Sequence, residues 1–230
     1  MALLEPFGAD IWVTDGPIAA VAGFRYPTRM AVIRLAGGAL FVWSPTAYSP
    51  ALGAEVDALG EVRFIVTPTA LHHLHLAQWR GAYSRARLYA APGSRARSTD
   101  VAFDEDLTDD PSADWAGQID QAVVYGNLIA TEVVFFHRAS RVVLFADLLQ
   151  QFERGWFSGW RAAIARLDRM VGDEPQTPRK FRLAFVDRRA ARKALTRVLA
   201  WPTQKVVMAH APPVREDGRA VITRAFRWLL

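Results

Sequence analysis

The 230-residue chain is long enough for one substantial hydrophobic core, and a composition 51% hydrophobic and 22% charged excludes extensive disorder. Its formal charge is +5, but the basic residues, all but three of the 28 being arginine, are spread along the chain among acids, so a nucleic-acid partner is not expected. With no cysteine, disulfides, thiolate nucleophiles and sulfur-based zinc sites are excluded, and any metal must sit on His, Asp or Glu.

The start, "MALLEPFGADIW", lacks a basic segment followed by a long apolar one, which leads us to expect a cytoplasmic protein. No apolar run approaches the roughly 20 residues of a membrane span. "DIWVTDG" and "RMAVIRLAGGALFVWS" read as strands, with a hairpin at Gly37-Gly38. Leu52, Val56 and Leu59 recur at helical spacing, and "EVRFIVTP" reads as a buried parallel strand stopped by Pro68. "ALHHLHLAQWRGAYS" reads as a loop entering a short helix, "ARLYAAPG" as a strand, and the aspartate-rich stretch from Asp100 to Asp114 as a surface loop. "EVVFFH" and "RVVLFADL" form a hairpin across "RAS".

Residues 148–171 carry a helical period in Trp156, Trp160, Ile164 and Leu167. "FRLAFVD" fits a strand or a helix. "DRRAARKALTRVLAWP" is a helix capped by Asp187 and stopped by Pro202; its arginines make one solvated face. "KVVMAH" is a buried strand ending at His210, and "ITRAFRWLL" a last amphipathic helix. Hairpins followed by strand–helix alternation predict a single layered α/β domain over residues 1–230.

Three of the five histidines, His72, His73 and His75, fall within four positions. In an extended segment His73 and His75 point to one side and can share a metal; in a helix they diverge by about 200°, and His72 and His75 meet instead. A polar rim or hydrogen-bonded core role is the bland alternative. Asp147 follows one apolar strand and His210 ends another, where layered α/β folds bind ligands. Asp147 also suits an N-cap for a helix from Leu148, and His210 a strand-end hydrogen bond. His137, with Arg138 and Arg141, reads as a polar hairpin tip. Phosphate-binding glycine loops and the Gly-x-Ser-x-Gly nucleophile elbow are absent from the chain.

This order of strands, "HLHLAQ", Asp147 and His210 resembles the metallo-β-lactamase superfamily, and "LHHL" with "EVVFFHRASRVVLFADL" looks like a bacterial and plant family of unknown function with that fold. The resemblance implies a four-layer αββα sandwich. It matches His73 and His75 to the first half of the H-x-H-x-D-H metal motif, Asp147 to the bridging aspartate and His210 to the final histidine. The chain departs from the pattern at Ala77-Gln78, which replace the Asp-His half, at Asn127, nearest to an expected histidine, and at Ser44, where an aspartate is usual. A dinuclear site is therefore not expected. What remains implied is one Zn, Fe or Mn ion on His73, His75, Asp147 and His210, with Asp147 as fourth ligand or catalytic base in hydrolysis of a small-molecule substrate. The alternative is a metal-free fold kept as a binding or interaction module.

Overall fold

Among the described residues, 3–230 of a computed structural model, eleven strands divide between two sheets. The first holds β1 (Glu5–Gly8), β2 (Ile11–Val21), β3 (Phe24–Arg34), β4 (Ala39–Trp43), β5 (Glu61–Thr67), β6 (Arg87–Ala90) and β7 (Glu105–Asp106), side by side in chain order. The second holds β8 (Ile119–Val124), β9 (Glu132–His137), β10 (Val142–Gln150) and β11 (Lys205–His210), in the order β11-β10-β9-β8. Pairing is antiparallel from β1 to β4 and parallel from β4 to β7; β11 lies parallel to β10.

Parallel neighbours require crossovers. They are supplied by α1 (Pro50–Asp57) and α2 (Leu76–Ala82) in the first half. In the second half α4 (Gly159–Leu167), α5 (Arg179–Ala184) and α6 (Arg188–Ala200) lie between β10 and β11; a single turn, α3 (Ser94–Arg97), follows β6, and α7 (Gly218–Phe226) ends the chain. Capping follows the sequence: the Ser49 hydroxyl accepts from Leu52 N with Pro50 in the first turn of α1, and the Asp187 carboxylate accepts from Ala190 N at α6.

Three apolar clusters define four layers. The central one, with Phe41, Trp43, Trp115, Phe135 and Leu144, fills the space between the sheets. A second packs the outer face of β8–β11 against Leu195, Val198, Ile222 and Phe226 of α6 and α7. A third packs the first sheet against Leu52, Val56, Leu76 and Trp79 of α1 and α2. Arg29, buried in β3, crosses between the sheets: it donates to the Met208 and Ala211 carbonyls beside β11 and pairs with Asp15 at 2.7 Å. The acidic stretch after α3 is tied down by arginines, Asp104 to Arg80 at 2.8 Å and Asp109 to Arg197 at 2.8 Å.

The helical period over 148–171 is realised only in α4. Strand β10 runs through Gln150, because pairing with β9 and β11 buries all nine of its residues. Asp147 is thus a strand residue and caps no helix. Trp160, Ile164 and Leu167 are 57%, 44% and 64% exposed, so their recurrence makes a surface stripe rather than a core face. "FRLAFVD" resolves as the short helix α5.

Candidate metal centre

Where β10 leaves β11, the ladder slips. Phe145 pairs with Met208, but the next partners are Gln150 and His210, so β10 uses five residues against two. Backbone N–H groups in such a bulge lose their ladder acceptors and need others. Glu132, opening β9, provides them: its two carboxylate oxygens accept from Ala146 N, Asp147 N and Leu148 N at 2.7, 2.8 and 2.8 Å. Burial, joined by the Asp147 charge, pushes Glu132 up to about 8, and the three N–H donors work in the opposite direction.

The bulge turns the Asp147 carboxylate toward the ends of β5 and β11. His72 Nε2 lies 3.6 Å from Asp147 Oδ2, and His210 Nε2 lies 3.4 Å from Oδ1. One donor atom from each of the three side chains falls within 4.8 Å of the others. Each imidazole is held by its far nitrogen. His210 Nδ1–H donates to the Pro27 carbonyl at 2.7 Å, which leaves the lone pair on Nε2 in the neutral ring. His72 Nδ1 pairs with Ser44 Oγ at 2.7 Å, and its Nε2 is buried with no hydrogen-bond partner. Thr69 Oγ1 donates to Asp147 Oδ2 at 2.6 Å. Burial alone would raise the Asp147 carboxyl, but the two imidazoles hold it well below the usual carboxylate range.

Of the residues singled out in the sequence, the fold brings Asp147 and His210 together, and their third partner is His72. His73 and His75 do not join them among the described residues. Pro68 and Thr69 bend the chain after β5, with Thr67 Oγ1 donating to the carbonyls of Thr69 and His72, and this local turn decides which imidazole points inward. His73 Nδ1 instead bonds the Ala70 carbonyl at 3.1 Å, and His75 stands at the N-terminus of α2, where burial lowers its pKa. Gln78 accepts from Tyr48 N at 3.0 Å and holds the loop before α1. Asn127 braces the segment after β8 by donating to the Phe181 carbonyl at 2.8 Å. His137 is buried at the other end of β9, paired with Ser140 Oγ at 2.7 Å.

Sequence reasoning does not assign Glu132, Thr69 or Ser44 a supporting role. A glutamate opening an otherwise apolar β-strand was the available signal for the first. The cluster lies in the wall of a cavity of about 330 Å³ whose surface is largely apolar, with Leu71, Leu74, Ile129 and Phe181 among its lining residues. Arg97 and Lys180 are its basic lining residues, and Asp147 its acidic one.

A family model described as Domain of unknown function (DUF4336) matches residues 9–156. No sequence among the curated proteins matches. Among solved structures, a metallo-β-lactamase from Erythrobacter litoralis with β-mercaptoethanol in its active site superposes with a TM-score of 0.65 at 16% identity, over 98% of this chain and 95% of that one. The metallo-β-lactamase FIM-1 from Pseudomonas aeruginosa, in a mono-zinc form, gives 0.60 at 14% identity, over 98% and 93%. A metal-soaked Flv1 flavodiiron core from Synechocystis sp. PCC6803 gives 0.65 at 12% identity, over 98% of this chain and 60% of that one.

Proposed function

Since the chain belongs to the DUF4336 family and has the metallo-β-lactamase fold, we propose that it holds one divalent transition metal on His72, Asp147 and His210 and acts as a mononuclear metal-dependent hydrolase of a small substrate. The observation that carries this reading is the orphaned Nε2 of His72: a buried imidazole nitrogen with no partner, 3.6 Å from a carboxylate oxygen. A buried polar atom left unpaired costs about 1–3 kcal/mol, which a metal would relieve. Bonds of about 2.0–2.2 Å at tetrahedral angles set ligand atoms about 3.3–3.6 Å apart, and each imidazole Nε2 lies at such a distance from one of the two Asp147 oxygens, with the three donor atoms within 4.8 Å of one another. Two imidazoles and a carboxylate suit Zn, Fe or Mn and leave positions open for substrate.

When bound, such a metal supplies Lewis acidity toward an ester, amide or phosphodiester oxygen and brings the pKa of water near neutrality. The chain's own residues prepare for it. Pro27 O and Ser44 fix the two rings, and Thr69 occupies one oxygen of Asp147. Gln150 Oε1, buried and unpartnered in the same wall, offers an acceptor to the substrate. Arg97 and Lys180 would meet an anionic group on it, while Leu71, Ile129 and Phe181 exclude water from its apolar part.

The test is turnover of chromogenic carboxyl esters, thioesters, lactams and phosphodiesters by protein stripped with a chelator and reloaded with zinc, iron or manganese. Hydrolysis that follows metal loading and is abolished by Asp147→Asn supports the reading. Stoichiometric metal without turnover across all four classes would make the fold a binding module instead.

A further inference from the structure

Away from the cavity floor, one surface is unusual in both shape and composition. The β2–β3 hairpin tip reads Pro17-Ile18-Ala19-Ala20-Val21-Ala22-Gly23-Phe24; Ile18 is 41% and Val21 58% exposed, and Ala20, Ala22 and Gly23 are exposed beside them. Its two central turn residues, Ala22 and Gly23, have φ of 48° and 77°. A two-residue hairpin turn of this kind favours Asn-Gly or Asp-Gly, and a residue with a Cβ other than Asn or Asp is strained there. An apolar alanine stands where a polar residue would fit the backbone better.

The α4 stripe lies against this tip. Phe24 meets Trp160 and Phe157 edge-on at 5.9 and 5.5 Å, Trp156 Nε1 donates to the Arg25 carbonyl at 2.8 Å, and Arg161 lies over Gly23. Trp156, just before α4, and Trp160, Ile164 and Leu167 within it extend the apolar surface. The charges around it are mainly basic, with the exposed carboxylates of Asp15 and Glu153 at its margins. Residues 16–30 contain no carboxylate, and Arg25 is exposed. From 154 to 169 the only carboxylate, Asp168, is turned inward, donated to by Lys180 N, while Arg166 and Arg169 are exposed.

We propose that the hairpin tip and α4 together dock this protein on an anionic phospholipid surface. A protruding aliphatic tip, tryptophans beside it and an arginine rim are the elements that settle into the headgroup boundary: apolar side chains enter the acyl edge and guanidinium groups pair with lipid phosphates. A second copy is a poorer occupant, because a two-fold contact joins this surface to itself, and its exposed arginines outnumber the carboxylates that a partner copy would offer them. Ala19 and Val21 also line the cavity, so docking brings its mouth to the lipid surface.

The experiment is flotation with vesicles of phosphatidylglycerol mixed into phosphatidylcholine, with pure phosphatidylcholine as control. Because the chain has no cysteine, Val21→Cys and Ala36→Cys, the latter beyond the opposite end of β3, each accept a single polarity-sensitive dye. Binding to the anionic vesicles alone, weakened by salt, with a blue shift at position 21 and none at 36, is expected. Ala22→Asn combined with Leu167→Ser should cut partitioning about tenfold without lowering the thermal midpoint, since the first change relaxes the turn and the second is at the surface. No vesicle binding, binding that survives the double substitution, equal shifts at both labels, or burial of position 21 in a concentration-dependent dimer would each overturn the proposal.

Discussion

Glu132 at the start of β9 supports Asp147 near the end of β10 through its backbone: Glu132 Oε2 accepts the Asp147 N–H at 2.8 Å, and the same carboxylate takes the N–H groups on either side. The candidate ligand's direction is therefore set by an acid that does not itself belong to the cluster. A bulge that would otherwise leave three buried donors unpaired becomes a rigid mount for one carboxylate.

Removing that mount should be costly. Glu132→Gln keeps one acceptor but turns an amide N–H₂ toward backbone donors, and we expect a loss of about 2–4 kcal/mol in urea unfolding. Glu132→Asp, too short to reach all three donors, should fall between the two proteins. Unfolding midpoints indistinguishable from the parent would mean that the bulge is held by something else.

Ser44 and Thr69 act on the cluster without belonging to it. Ser44→Ala frees the His72 ring, and Thr69→Val removes the hydroxyl 2.6 Å from Asp147 Oδ2. Each should weaken zinc binding about 10–100-fold, as losses of supporting hydrogen bonds do at metal sites, with little change in thermal midpoint. Competition titration against a chromogenic chelator measures this directly.

Much of the architecture could be read from residue pattern. The Gly37-Gly38 turn, the Asp187 cap, the parallel strand ending at Pro68 and the β9–β10 hairpin all announced themselves through local chemistry that the fold does not override. The candidate cluster was less legible than the fold. In the candidate cluster Asp147 and His210 stand at strand ends, which the apolar runs mark out; which histidine of 72, 73 and 75 faces them depends on the turn after β5, which residue pattern does not give. The stripe in α4 misled for a related reason: periodicity reports that one face is apolar, not that anything covers it.

His137 gives a pH signature independent of the cluster. Five residues from Glu132 along β9, it sits roughly 17 Å away at about 3.4 Å per residue. Burial lowers its pKa to about 4, with Asp10 opposing, against an ordinary value of 6.5. A depressed imidazole binds its proton more readily in the unfolded chain, so its stabilising contribution is complete above pH 6.5 and is lost as pH falls toward 4. That loss should amount to roughly 3 kcal/mol, from about 2.5 pH units at about 1.4 kcal/mol each. His137→Asn, which can keep a bond to Ser140, should flatten the stability profile across that window; parallel profiles for parent and variant would refute the assignment.

As proposed, His72, Asp147 and His210 form one metal site to which His73 and His75 do not contribute. Metal content per chain, measured on untagged protein after equilibration with zinc and removal of excess, tests it most directly. About one equivalent is expected in the parent, in His73→Ala and in His75→Ala, and a substoichiometric trace in His72→Ala, Asp147→Ala and His210→Ala. Metal that disappears with His73 or His75 and survives loss of His72, or a parent that binds none, would contradict it.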